Sequence, residues 1–448
     1  MRFSLENIGK IRKADIDLNG ITVICGDNNT GKSTIGKALF CVFNSCYDID
    51  NTIILQLTIR TINDINRKIR TSLLNVISNE ERLTVENVAS RRFRLACTIE
   101  DFFKFSEELS DNYEEGKKQI DSFLESKLFS KYYQLISNSD ELYKEIYDLI
   151  KSTLKEPIEP HKLTRVKSFF YTVFDEQPIN INSDKAFVST LIQGKNFKFY
   201  LDENSKSSLS LDIEFNNHAI FIDSPDEYKL NATDWIPDYP NRNTLKNLVQ
   251  NEMIDQSDDV SATADVNRTI IEKRLSVVTN ILNRAIKGRF KRNSDKNEKE
   301  FEFDGTDSTI SISNLSTGVK SLLLFRTLCE CGKLSPKDVL ILDEPEIHLH
   351  PDWQLVYAEA LVVLQKELDL TILITSHSPA FVRAIECYCD YYDCMEKLDV
   401  YHTKRIDNSE YTLENLSYMN YGVSELYDEF SKPFSDLDEM LKEKYNKR

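Results

Sequence analysis

Gly26-Asp27-Asn28-Asn29-Thr30-Gly31-Lys32-Ser33-Thr34 stands between an apolar run, Ile21-Thr22-Val23-Ile24-Cys25, and a helix-like stretch, Thr34-Ile35-Gly36-Lys37-Ala38-Leu39-Phe40. Strand, glycine-bearing loop with lysine and hydroxyl, then helix is the order in which a chain builds a phosphate-binding loop. Gly26 and Gly31 let the backbone curl so that the amide N–H groups along Asp27, Asn28, Asn29 and Thr30 converge on phosphate oxygens. The helix N-terminus at Lys32, Ser33 and Thr34 adds partial positive charge. Lys32 is expected to reach the β- and γ-phosphates, and the Ser33 hydroxyl to bind Mg²⁺. A glycine-bearing surface turn needs none of these coincidences. The stretch predicts a site for ATP or GTP with Mg²⁺.

Two further runs read as strands of the same sheet. Val339-Leu340-Ile341-Leu342 is continuously apolar, as in a strand buried on both faces, and ends at Asp343-Glu344-Pro345. Asp343 is expected to hold Mg²⁺, directly or through water, and Glu344 to polarise the attacking water. Thr371-Ile372-Leu373-Ile374-Thr375-Ser376 is a second such run and delivers His377 at its end, as a γ-phosphate sensor. Open α/β sheets bind ligands at the C-terminal ends of their strands, so the three strand ends are expected to share one edge. Adjacent Ser376 and His377 cannot meet as nucleophile and base, which sets hydrolase chemistry of that type aside.

Asn314-Leu315-Ser316-Thr317-Gly318-Val319-Lys320-Ser321 opens an apolar helix, Leu322-Leu323-Leu324-Phe325-Arg326-Thr327-Leu328. A serine before a helix is an ordinary cap. In this order before Asp343, however, Leu-Ser-Thr-Gly resembles the signature motif of ABC-type ATPases, Leu-Ser-Gly-Gly-Gln, with Thr317 and Val319 as departures. That resemblance gives Ser316, Thr317 and Gly318 a nucleotide-binding role. It also makes residues 26–34 a Walker A loop set unusually far from its signature, so that a large insertion splits the domain. The opening, Leu5-Glu6-Asn7-Ile8-Gly9-Lys10-Ile11 and Ala14-Asp15-Ile16-Asp17-Leu18-Asn19-Gly20, resembles RecF-, SMC- and OLD-like ATPases. Leu342-Asp343-Glu344-Pro345-Glu346-Ile347-His348-Leu349-His350-Pro351 resembles the Asp-Glu-Pro-Glu-x-x-Leu-His-Pro run of the OLD-like and related AAA-15/AAA-21 group. Many members of that group serve in anti-phage defence.

The fold expected is α/β, an ABC-type P-loop ATPase head with a mixed sheet and flanking helices, interrupted by a large mainly helical insertion. Its parts are expected at 1–50 (head, Walker A), 51–185 (helical insertion), 186–225 (β segment of the head), 226–300 (second helical insertion), 301–405 (head, with signature, Walker B and His377) and 406–448 (tail). In 51–185, Ile120, Leu124 and Leu128, then Leu142, Ile146, Leu149 and Leu154, recur among charged residues at helical spacing. The heptad pattern is not sustained, and Gly116 and Pro157 are expected to interrupt it, so packed short helices are favoured over a long coiled coil. Phe197–Leu201, Leu209–Phe215 and Ala219–Ile222 read as strands. A Q-loop residue is not identifiable; Gln56 and Gln193 are both weak matches.

The 448-residue chain is long enough for a large core and an accessory region. It opens directly on a strand without a secretion signal and holds no membrane-length apolar run, and its nine cysteines form no Cys-x-x-Cys framework. A cytoplasmic protein with reduced thiols and no membrane partner is expected. The formal charge of −17 argues against a broad nucleic-acid footprint, while Arg91-Arg92-Phe93-Arg94 and the run Arg284, Lys287, Arg289, Lys291, Arg292 and Lys296 leave room for local contact. His348 and His350 invite a metal reading beside Glu344 and Glu346, but the related ATPases place a dimer-contacting loop here. After His377 only Asp436-Leu437-Asp438 matches the Asp-x-Asp of a TOPRIM nuclease, in a helical context. The resemblance therefore implies a standalone ATPase, a homodimer or higher homo-oligomer, working with a separate nuclease effector as in Septu- and PARIS-type systems. A RecF-like ATPase acting on DNA in repair and an ATP-binding scaffold are the alternatives.

Overall fold

A computed structural model describes residues 1–76, 97–128, 130–137, 139–204, 206–223, 262–293, 298–306, 308–330, 334–407, 410–417 and 424–446. Strands β1 (Arg2–Ile8), β2 (Ile11–Asp17) and β3 (Ile21–Cys25) lead into helix α1 (Lys32–Cys46). Helices follow before the next strands: α2 (Ile49–Val76), α3 (Ile99–Glu107), α4 (Tyr113–Lys127), α5 (Ser130–Ile136), α6 (Asp140–Leu154) and α7 (Glu159–Val173). Strands β4 (Lys185–Ile192), β5 (Lys195–Asp202), β6 (Ser208–Leu211) and β7 (Ala219–Ile222) follow, then α8 (Ala262–Leu282), β8 (Gly288–Asn293), β9 (Glu298–Phe303) and β10 (Thr309–Ser311). The chain continues through α9 (Thr317–Glu330), β11 (Val339–Asp343), α10 (Pro351–Leu368), β12 (Thr371–Ser376), α11 (Pro379–Tyr391), β13 (Leu398–Asp407), β14 (Glu410–Asn415) and α12 (Ser424–Asn446).

Eleven strands form one mixed sheet in the order β6-β5-β4-β1-β2-β14-β13-β3-β12-β11-β7. From β13 to β7 all neighbours run parallel, and β4, β5 and β6 add an antiparallel wing beyond β1. Parallel strands covered on both faces are apolar without alternation, which is why β3, β11 and β12 read so clearly in sequence. Successive side chains on β3 serve opposite layers. Ile21, Val23 and Cys25 join Leu340, Leu342, Ile372 and Ile374 in a core closed by residues of α8, α9, α10 and α11. On the other face α1 packs so close to β11 that a Cβ on Gly36 would stand 2.9 Å from Ile341 Cγ2. A separate antiparallel sheet, β10-β9-β8, precedes α9.

The chain divides into two compact units, Asp48–Thr164 and the remainder. Unit Asp48–Thr164 has its own core, in which Ile65, Ile69 and Leu73 of α2 meet Ile120, Leu124, Leu142 and Ile146. Its helices begin where short polar side chains satisfy free amides: Thr98 forms a capping box with Asp101, and Asn112 and Ser139 cap α4 and α6. Two expectations need correction. Gly116 does not interrupt a helix but lies inside α4, where a Cβ would fall 2.6 Å from Tyr147 Cε2, so it makes room for a neighbouring ring. The boundary expected at 405 falls inside β13, and β14 pairs with both β13 and β2, so the central sheet runs on to Asn415. The compact helical unit ends at Thr164, inside α7, and β4 begins at Lys185 and pairs with β1.

Candidate functional site

The loop between β3 and α1 is held by features that only its residue types permit. Gly26 has φ +144° and Gly31 φ +89°, backbone conformations that a side chain would strain. A Cβ on Gly26 would stand 1.9 Å from the Thr403 hydroxyl, and one on Gly31 2.9 Å from Ile11 Cδ1. Thr403 of β13 donates to Thr30 Oγ1 at 3.0 Å, and Thr30 donates in turn to the Asp27 carbonyl at 2.9 Å. Lys10 ties the loop from the other side through Asn29 Oδ1 at 2.6 Å, where Asn29 turns left-handed at φ +67°. Asp27, Asn28 and Asn29 are exposed at the lip. Lys32 is only 4% exposed and its ammonium donates to the Gly26 and Asp27 carbonyls at 2.9 and 2.7 Å. A curled backbone cradle is thus held in place, with the lysine ammonium bonded to its carbonyls.

Parallel register delivers the other groups to the same edge. Asp343 pairs with Thr375, and Ser376 with Cys25, so the ends of β11, β12 and β3 lie side by side. Ser33 Oγ donates to Asp343 Oδ1 at 2.9 Å, and Thr375 Oγ1 donates to the same oxygen. Burial pushes the Asp343 carboxyl above the usual carboxylate range; the Thr375 and Ser33 hydrogen bonds oppose that shift, and Glu344 and Asp223 add to it. Glu344 sits at φ +50°, a strained conformation for a residue with a side chain and one that turns its carboxylate out of the strand line. One oxygen lies 3.6 Å from Lys32 Nζ and the other 3.3 Å from His377 Nδ1. The His377 nitrogen is close but misaligned, so it makes no hydrogen bond. Lys32, Glu344 and His377 therefore form one row, with Ser33 and Asp343 beside it.

Ser316 is exposed and its hydroxyl accepts from the Val319 amide at 3.4 Å, capping α9, whose first residues are Thr317 and Gly318. Gly318 lies against the loop after β11: a Cβ there would stand 2.4 Å from the His348 carbonyl oxygen. The serine cap and the close approach explain these residues within one chain, and they leave the start of α9 facing solvent at Ser316. His348, at φ +68°, and Ile347 are exposed, while His350 caps α10 by accepting from the Asp352 amide at 3.3 Å.

Residues 1–382 match the model of the AAA ATPase domain family. The chain belongs to that family. No curated protein matches it in sequence. Among solved structures it is similar to an SMC head bound to the C-terminal winged-helix domain of ScpA, at TM-score 0.42 and 11% identity, covering 93% of this chain and 98% of that one. It is also similar to the SMC head domain from Thermotoga maritima, at TM-score 0.38 and 9% identity, covering 92% and 97%.

Four further positions of this AAA ATPase domain join the site, none of them expected in it from sequence, although Glu346 lies within the Asp-Glu-Pro-Glu run. Thr375 and Thr403 bind Asp343 and Thr30 from distant strands. Asp223 follows Ile222, which pairs with Leu342, so it stands beside Asp343 one step beyond the last strand pair. Its only sequence signal is the break Asp223-Ser224-Pro225 after an apolar strand. Glu346 is buried behind His377 and accepts from its amide at 3.3 Å. Neither Q-loop candidate gains support: Gln56 is exposed on α2, and Gln193 occupies the β4–β5 turn at φ +49°.

Proposed function

We propose that this chain binds ATP with Mg²⁺, hydrolyses it, and uses the cycle as a switch that joins two copies and controls a separate nuclease effector in anti-phage defence. The observation that carries the chemical part is the Lys32–Glu344–His377 row at the mouth of a glycine cradle. Lys32 would leave the loop carbonyls for the β- and γ-phosphates. Ser33 and Asp343 would hold Mg²⁺, which neutralises phosphate charge when bound. Glu344, at a strained backbone angle and partly exposed, would orient and polarise a water, and His377 would sense the γ-phosphate. Phosphoryl transfer asks for positioning and charge stabilisation above all, and these residues would contribute to both.

The regulatory part rests on the resemblance of the Asp343–Pro351 run to defence ATPases. Among the described residues no helix is long and apolar enough to cross a membrane, and the described cysteines are free thiols, which suits a cytoplasmic switch. The DNA-repair reading gains little from the basic clusters. Arg284 pairs with Glu359 and Arg289 with Glu302 at 2.7 Å, while residues 91–94 and the side chains of Lys291, Arg292 and Lys296 lie outside the described residues.

Phosphate release and nucleotide titration test the chemistry. Glu344→Gln is expected to keep ATP affinity while turnover falls on the order of 100-fold or more, the size of a lost general base. Lys32→Ala is expected to weaken nucleotide binding itself. Near-wild-type turnover in Glu344→Gln would remove Glu344 from this role.

A further inference from the structure

Glu346 takes no part in the chemistry above, yet it is a carboxyl group only 3% exposed directly behind the site. Its Oε1 accepts from the Ser376 hydroxyl and from the His377 amide at 3.3 Å, and its Oε2 is buried with no hydrogen-bond partner. Burial pushes its carboxyl above the usual range, against the Ser376 hydrogen bond. A half-satisfied buried carboxyl is a costly filler, since an apolar side chain would occupy the space without an orphaned oxygen. Its position shows what it connects. The loop from Glu344 to Leu349 is closed by Ile347 and Leu349 amides bonded to the Glu344 and Glu346 carbonyls, each at 3.1 Å. The loop then touches Gly318 through the His348 carbonyl.

We propose that Glu346 is a positioning residue that ties the strand end carrying His377 to the loop Glu344–Leu349 and, through His348, to the start of α9. This rests on reading the Lys32 site as an ATPase site. One side chain then sets where His377, Glu344 and the exposed signature turn stand relative to each other. Movement of His377 on contact with a γ-phosphate would be passed to Ile347, His348 and Ser316 at the surface.

Three variants of the full chain test the tie: Glu346→Gln, which keeps a carbonyl acceptor, Glu346→Ala, which removes it, and Ser376→Ala, which removes one of the two donors to Glu346 and also the acceptor of the Ser378 amide. Glu346→Ala is expected to lower kcat on the order of 100-fold through misplacement of His377 and Glu344, with affinity for a fluorescent ATP analogue unchanged. Glu346→Gln should restore kcat close to wild type. Amide hydrogen exchange without nucleotide supplies the second readout. Exchange in Glu346→Ala should rise together at His377, Ile347 and Leu349, rise less in Ser376→Ala, and stay as wild type in Glu346→Gln. Faster exchange at His377 alone, or wild-type kcat in Glu346→Ala, overturns the tie. A wild-type chain that releases no phosphate overturns the ATPase reading instead, and the exchange pattern still decides the role of Glu346.

Discussion

Asp343 occupies a place that costs the nucleotide-free protein stability. Its carboxyl is raised by burial first, and then by Glu344 and by Asp223, its neighbour across the strands. An acid whose folded pKa lies above its unfolded value binds more protons when folded in the window between the two. Stability is therefore complete below the ordinary carboxylate range and falls as pH rises through the folded pKa. At neutral pH the ionised group is a net burden that Mg²⁺ would relieve. Asp343→Asn is accordingly expected to raise the melting temperature of the nucleotide-free chain at neutral pH, to lose that advantage at acidic pH, and to abolish turnover. Thermal melts at two pH values, without and with Mg²⁺·ATP, check this; an unchanged or lower neutral melting temperature counts against it. Lys32, Ser33, Asp343, Glu344 and His377 could be singled out in sequence because each sits in a contiguous strand-loop pattern. Thr375, Thr403 and Asp223 could not, because their partners come from other strands; Glu346 stands in the Asp-Glu-Pro-Glu run, but nothing in that run tells that it accepts from Ser376 and the His377 amide at the end of another strand.

At the scale of elements, the start of α9 and the loop after β11 are pressed together by a glycine. Gly318 allows the His348 carbonyl within 2.4 Å of where a Cβ would be, and backbone on both sides leaves no flexible side chain to yield. Gly318→Ala is expected to push α9 off the loop, at a stability cost of about 1–3 kcal/mol from overpacking. Nucleotide binding at the Lys32 loop should persist while turnover falls, because α9 touches the loop and not the cradle. Chemical denaturation and nucleotide titration separate the two effects; full turnover would show that the start of α9 has no bearing on hydrolysis. The parallel strands were legible because burial on both faces demands unbroken apolar runs. Gly116 was misread because glycine signals a helix break in isolation, whereas here the ring of Tyr147 determines it. Leu209–Phe215 shortened to the four residues of β6 because its pairing with β5 ends at Leu211.

For the whole molecule, what the sequence could say about assembly is one Walker A loop and one signature turn per chain. The sheet order places Lys32, Glu344 and His377 on one edge, while Ser316 caps its own helix and remains exposed. A helix start of that kind favours an anion, and the shared-site arrangement implied by the ABC-type resemblance supplies it from a second copy. Two copies related by a two-fold axis would each lend a signature turn to the other's phosphate loop, with two ATP molecules between them. Lys32→Ala chains and Ser316→Arg chains should each fail to turn over ATP alone. Mixed and isolated as heterodimers through two different tags, they should recover activity, because one interface then joins an intact Lys32 to an intact Ser316. The recovered rate should approach half that of the wild-type dimer if the two sites fire independently, and less if they fire together. Heterodimers as inactive as their components would place hydrolysis outside a shared site, and a Ser316→Arg chain that turns over normally as a monomer would do so directly.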